Sequence, residues 1–125
     1  VRKIKTIIVD DSIQFSEAIA AYFADIKEIS IIKLITNGAE CLEFCINNKP
    51  DLALIDVRMS GFEGPEIARQ LRAMYPDIKI IMITVWPENE ARVYAFQARA
   101  DDYFVKGEHL PCLLEKIHNL FPNKQ

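Results

Sequence analysis

The chain has 125 residues, half of them hydrophobic and 26% charged, which suits one compact domain with its own core and excludes disorder. With 15 basic against 18 acidic residues and a net charge of -3, it offers no cationic surface of the kind that grips nucleic acid. No apolar run approaches the ~18 residues of a membrane span. Cys41, Cys45 and Cys112 include no CxxC pair, and His109 and His118 lie far along the chain, so the spacings of a zinc site are missing and free thiols in a reducing compartment are expected.

Val1-Arg2-Lys3-Ile4 leads straight into a strand pattern, so no signal peptide is expected and the location is expected to be cytoplasmic. Ile7, Ile8 and Val9 end a first strand at Asp10-Asp11. Ser12 caps a helix with Phe15, Ile19, Phe23 and Ile26 along one side. Ile29 to Ile35, rich in isoleucine, is a second strand, closed by Thr36 and punctuated by Asn37-Gly38. The next helix turns Leu42, Cys45 and Ile46 inward and stops at Asn47-Asn48-Lys49-Pro50.

Leu52 to Ile55 is a third strand, ending at Asp56. The loop Met59-Ser60-Gly61-Phe62-Glu63-Gly64 precedes a helix opened by Pro65, with Ile67, Leu71 and Met74 inward and Pro76-Asp77 as its stop. Ile78 to Ile83 is a fourth strand, ending at Thr84. Pro87 stands at a first helical position, and Glu88 and Glu90 favour the positive end of that helix. Asp102 to Val105 is a fifth strand, ending at Lys106, and a last helix carries Leu110, Leu113, Leu114, Ile117, Leu120 and Phe121. Continuous apolar strands alternating with helices predict an α/β fold with a parallel sheet covered on both faces. Residues 1–125 read as one domain.

In such a sheet, ligands bind beyond the carboxyl ends of the strands, so the polar residues there decide the chemistry. They are Asp10, Asp11, Asp56, Thr84 and Lys106. Three carboxylates in one pocket repel one another, and a hard divalent ion such as Mg²⁺ relieves the repulsion. An ion, a lysine and a hydroxyl around a carboxylate outline a phosphoryl site, in which a carboxylate accepts the group as an acyl phosphate.

The segments Val9-Asp10-Asp11-Ser12, Ile55-Asp56-Val57-Arg58-Met59, Ile83-Thr84 and Tyr103-Phe104-Val105-Lys106 together resemble the receiver domain of two-component response regulators. The resemblance covers essentially the whole chain. It implies a CheY-like, flavodoxin-like doubly wound sheet of five parallel strands in the order 2-1-3-4-5 with five helices. It implies Asp56 as phosphoacceptor, with Mg²⁺ held by Asp11, Asp56 and the Arg58 main-chain carbonyl, and by Asp10 through a water. Lys106, Thr84 and Tyr103 become the phosphoryl-binding and switching residues. The implied donor is a phosphohistidine on a sensor histidine kinase or phosphotransfer protein. Such a domain is not an enzyme in its own right, though it assists its own phosphorylation and dephosphorylation.

Four positions depart from the family pattern: Gly107 where proline is usual after the lysine, Ser60 where proline follows the acceptor loop, Arg99 where glycine ends the fourth helix, and Arg58 two beyond the acceptor. Arg58 has the phosphoryl group, Glu88 or Glu90 within prospective reach. Gly107 resembles the regulators with a helix-turn-helix output, which favours a transcriptional regulator whose DNA contacts lie in another domain. A stand-alone receiver, a kinase-attached receiver and an unphosphorylated binding module remain alternatives. A phosphoaspartate phosphatase wants D-x-D rather than the adjacent Asp10-Asp11, and a flavodoxin-like cofactor module wants a phosphate loop that these two acids would repel. On the fourth helix, Ala91, Ala95 and Ala98 form a small-residue face, while Val93 and Phe96 point elsewhere as a partner surface. A homodimer through the fourth helix, fifth strand and fifth helix is one use of it. Trp86 is expected to pack over the pocket rim.

Overall fold

The computed structural model describes residues 3–59, 62–86 and 88–122. Val1, Arg2, Ser60, Gly61 and Pro87, named above, lie outside the described residues, as does the side chain of Glu88. In chain order the elements are β1 (Ile4–Val9), α1 (Ile13–Phe23), β2 (Ile29–Ile35), α2 (Gly38–Asn47), β3 (Leu52–Asp56), β4 (Arg58–Met59), β5 (Phe62–Glu63), α3 (Gly64–Met74), β6 (Lys79–Thr84), α4 (Glu88–Gln97), β7 (Asp102–Val105) and α5 (Leu110–Leu120).

The five long strands form one parallel sheet in the order β2-β1-β3-β6-β7, the order expected once the two short strands are set aside. Those two form an antiparallel ladder of their own, pairing Arg58 with Glu63 and Met59 with Phe62. It was not foreseen, because two-residue strands carry no periodic signal.

Alternation along each strand divides the core into two layers. Ile7, Val9, Ala53, Ile55, Ile80 and Met82 pack against α2, α3 and α4. Ile8, Leu52, Leu54, Ile81, Ile83 and Phe104 pack against α1 and α5. Both faces are covered, which is why the strands read as unbroken apolar runs.

Two helix faces differ from expectation. The buried row of α2 is Gly38, Cys41 and Cys45. Ile46, one residue on and roughly 100° around, is 65% exposed. On α3, Ile67, Ala68 and Leu71 are buried but Met74 is exposed. Tyr75 takes the next inward place instead, and its hydroxyl donates to the Cys45 carbonyl at 2.5 Å.

The end of α4 resolves one departure. The Ala100 N–H donates to the Ala95 carbonyl at 2.9 Å and the Arg99 N–H to the Phe96 carbonyl at 3.1 Å, a paired C-terminal closure that needs a left-handed residue between them. Arg99 supplies it with φ 56°. The helix therefore ends as a glycine would end it, at a cost of about 1 kcal/mol for carrying a side chain in that conformation. The Arg99 carbonyl in turn accepts from Arg72 Nη2 at 2.9 Å, which ties the turn to α3.

Candidate functional site

Five side chains from four strand ends meet at the carboxyl edge of the sheet. Asp10 follows β1, where its N–H donates to the Ile35 carbonyl, and its Oδ1 accepts from the Ser12 N–H at 2.8 Å. This Asx turn lets Ser12 start α1, its Oγ accepting from the Phe15 N–H at 3.3 Å. Asp10 is buried and Asp11 is exposed. Asp56 ends β3 with little exposure, and one carboxylate oxygen from each of these three lies within 4.8 Å of the others.

Lys106 reaches in from the far end of β7. Its Nζ is 2.9 Å from Asp10 Oδ2 and 3.9 Å from Asp56 Oδ2. The Asp10 contact is an ion pair rather than an aligned hydrogen bond, since Oδ2 has no hydrogen-bond partner. The Lys106 backbone N–H donates to the Thr84 carbonyl at 2.6 Å, and its ammonium sits 4.4 Å from the centre of the Phe15 ring. Among the described residues, Lys106 is the cation that pairs with two of these three clustered carboxylates. Burial, and then the charge of Asp10, push the Asp56 carboxyl up to about 7, against the pull of Lys106 and the Arg58 backbone N–H. A carboxylate held this way is short of positive charge. Hard oxygen donors, an under-neutralised pocket and one solvent-facing acid fit a divalent cation such as Mg²⁺.

Thr84, buried at the end of β6, accepts from the Trp86 N–H at 3.0 Å through Oγ1. A cavity of about 270 Å³ opens beside it, lined by Asp56, Val57, Arg58, Thr84, Val85 and Trp86. The structure therefore brings Asp10, Asp11, Asp56 and Lys106 together and sets Thr84 on the adjoining cavity wall. Tyr103 is half-buried on β7, with the Lys116 ammonium 4.8 Å from its ring centre. The Arg58 guanidinium lies over the Trp86 ring at 4.9 Å. Trp86 lines the cavity wall, as expected of a rim residue.

Sequence reasoning missed three contributors. A Cβ on Gly64 would stand 1.9 Å from the Asp56 carbonyl oxygen and 2.9 Å from Val57 Cα, so only glycine lets α3 start against the backbone of the acceptor strand. The Gly64 N–H donates to the Val57 carbonyl at 2.8 Å. Glu108 shapes the turn after Lys106, its Oε1 accepting from the Val105 N–H at 3.0 Å. Between them Gly107 holds φ 102°, a region that suits glycine, with a trans bond before it. Phe15, read as core, is the floor beneath Lys106. A glycine directly before a helix was the available signal for Gly64; nothing in the sequence marked the other two.

Residues 6–118 match the family model for the response regulator receiver domain. The response regulator GacA of Pseudomonas aeruginosa is 33% identical over 122 residues, covering 98% of this chain and 57% of that protein. The chain thus spans about half the length of the curated relatives it matches. The CheY-like receiver domain protein of Methanospirillum hungatei superposes with a TM-score of 0.82 at 28% identity, covering 98% of this chain and 96% of that one. The response regulator protein TrrA of Thermotoga maritima, solved in complex with Mg²⁺ and beryllium fluoride, superposes with a TM-score of 0.79 at 28% identity, covering 93% and 97%. By fold, by the residues at its strand ends and by these matches, the chain belongs to the receiver domains of two-component response regulators.

Proposed function

We propose that this domain accepts a phosphoryl group on Asp56 and that the modified site biases the surface read by a partner. The observation that carries the reading is the clustering of three carboxylate oxygens within 4.8 Å beside Lys106. Asp11, Asp56 and the main-chain carbonyl of Arg58 would hold Mg²⁺, with Asp10 joining through a water. The ion supplies positive charge that the crowded carboxylates and the incoming phosphoryl group both need.

A carboxylate oxygen of Asp56 attacks phosphorus, the P–N bond of a phosphohistidine breaks, and its electron pair leaves with the imidazole, giving an acyl phosphate. Lys106, already 2.9 Å from Asp10, orients toward the added negative charge. Thr84 hydrogen-bonds a phosphoryl oxygen, and Tyr103 follows on β7. The donor is a sensor histidine kinase or phosphotransfer protein.

The chain spans 57% of GacA, which supports an output in a further domain, and Gly107 favours a DNA-binding one, so that DNA would be met only there. Val93 and Phe96, 54% and 83% exposed on α4, support a partner or homodimer surface at α4, β7 and α5. Among the described residues no helix is long and apolar enough to cross a membrane. A cytoplasmic location goes with a donor of this type.

The test is intact mass after incubation with Mg²⁺ and acetyl phosphate, beside an Asp56→Ala control. One phosphoryl adduct on the wild type and none on the control supports the acceptor role. An adduct that persists in the control assigns it elsewhere. No adduct together with no Mg²⁺ binding favours an unphosphorylated binding module.

A further inference from the structure

Two cavities share one wall. The site cavity is bounded by Arg58, Thr84 and Trp86. A groove of about 560 Å³ runs along α4 and is lined by Trp86, Glu90, Val93 and Tyr94. Trp86 belongs to both, and three contacts fix it. The Arg58 guanidinium covers its ring at 4.9 Å, its own N–H donates to Thr84 Oγ1 at 3.0 Å, and its ring stacks on Tyr94 with centroids 4.5 Å apart and planes 29° from parallel. The first two partners line the site cavity and the third stands on α4.

We propose that Arg58, Trp86 and Tyr94 form a route, distinct from the one that runs through Tyr103, by which the state of Asp56 reaches α4. The proposal rests on the acceptor reading of Asp56. A phosphoryl group there replaces the single carboxylate charge of Asp56 with a phosphate carrying up to two, in a cavity that Arg58 already lines. A charge-assisted contact between guanidinium and phosphate is stronger than a guanidinium resting on a half-buried aromatic face, so the cation leaves the indole. Turning the Thr84 hydroxyl onto a phosphoryl oxygen withdraws Oγ1 from the Trp86 N–H at the same time. Trp86 then loses both contacts on the site side, and its stack on Tyr94 re-packs and remodels the α4 groove.

Trp86 is the single tryptophan of the chain, so its emission reports this residue alone. Acrylamide quenching is measured with Mg²⁺, and again with Mg²⁺ and acetyl phosphate, while intact mass of the same sample gives the fraction carrying the adduct. In the wild type, the quenching constant is expected to rise about twofold with the adduct as the stack loosens. Tyr94→Phe keeps the ring and should follow the wild type. Tyr94→Leu starts loosened, and Arg58→Met has no cation to withdraw; at equal adduct fraction the rise in each should shrink by about half or more. A wild type that carries the adduct with unchanged quenching overturns the route. So do Tyr94→Leu and Arg58→Met variants that retain the full rise. A wild type without adduct overturns the acceptor reading itself, and the route with it.

Discussion

α3 and α4 lie on the same face of the sheet and both follow strands that end at the site, yet they are held in opposite ways. α3 buries Ile67, Ala68 and Leu71, and begins with Gly64 pressed onto the Asp56 backbone. Arg72 then ties it to the chain around it, donating to the carbonyls of Pro76, Ile78 and Arg99 and pairing with Asp101 at 2.9 Å. Among the described residues α4 buries only Ala91 and Ala95, with Tyr94 half-buried beside them and Ala98 buried just past the helix end, and it leaves Val93 and Phe96 outside. Alanine buries little apolar area, so α4 gains far less from its seat than a helix of leucines and isoleucines does. The acceptor strand thus has one flank locked and one flank loosely held. A domain that must hold its chemistry still while altering a surface needs both, because elements that move are drawn from the weakly packed end of a structure.

The sharpest way to break this contrast is Gly64→Ala. The added methyl meets backbone rather than a yielding side chain, so a loss of about 3 kcal/mol is expected by urea unfolding. Acetyl phosphate labelling should fall with it, because β3 and α3 are forced apart at the acceptor. A cost under about 1 kcal/mol would show that α3 is as yielding as α4.

Next in size is the crowding of charge at Asp56. Its carboxyl is raised to about 7 in the folded domain, from an ordinary 3.8. The folded state therefore holds the proton more tightly than the unfolded chain does, and without Mg²⁺ stability should decline as pH rises from about 4 to 7 and stay low above it. Asp56→Asn carries no such charge. It should be more stable than the wild type at pH 8 by on the order of 2 kcal/mol, with the gap closing toward pH 4. Mg²⁺ should narrow the gap at pH 8, since it binds the folded wild type. Chemical denaturation across pH, with and without the ion, checks both signs.

Smaller still is Arg99→Gly at the end of α4. Glycine relieves the left-handed strain at φ 56°, so stability should rise by about 1 kcal/mol. Smallest is Phe96→Ala. A ring 83% exposed contributes little to the fold, and a change within about 0.5 kcal/mol is expected in thermal unfolding.

What could be read from the chain follows the same divide. Strands buried on both faces announce themselves as runs such as Ile7-Ile8-Val9, and the acids at their ends marked the site because fold class alone says where strand ends converge. The alanine row of α4 was legible from spacing, and so was the outward pair Val93 and Phe96. Helix rotation was less legible where two apolar residues adjoin. Cys45 and Ile46 compete for one inward place, as do Met74 and Tyr75, and the neighbours decide. The role of Gly64 was hidden because the atom it avoids, the Asp56 carbonyl oxygen, lies eight positions back along the chain and comes close only after folding. Arg58 was placed in prospective reach of Glu88, Glu90 or the phosphoryl group, but its resting partner is the Trp86 ring, a contact no linear spacing encodes.

The measurement that tests the account most directly is hydrogen exchange, read peptide by peptide, on the domain with Mg²⁺ alone and with the phosphoryl group on Asp56. Exchange across residues 88–97 is expected to change while residues 64–74 stay as they were. Equal change in both segments, or none in either at full labelling of Asp56, would contradict the division between a fixed and a movable flank.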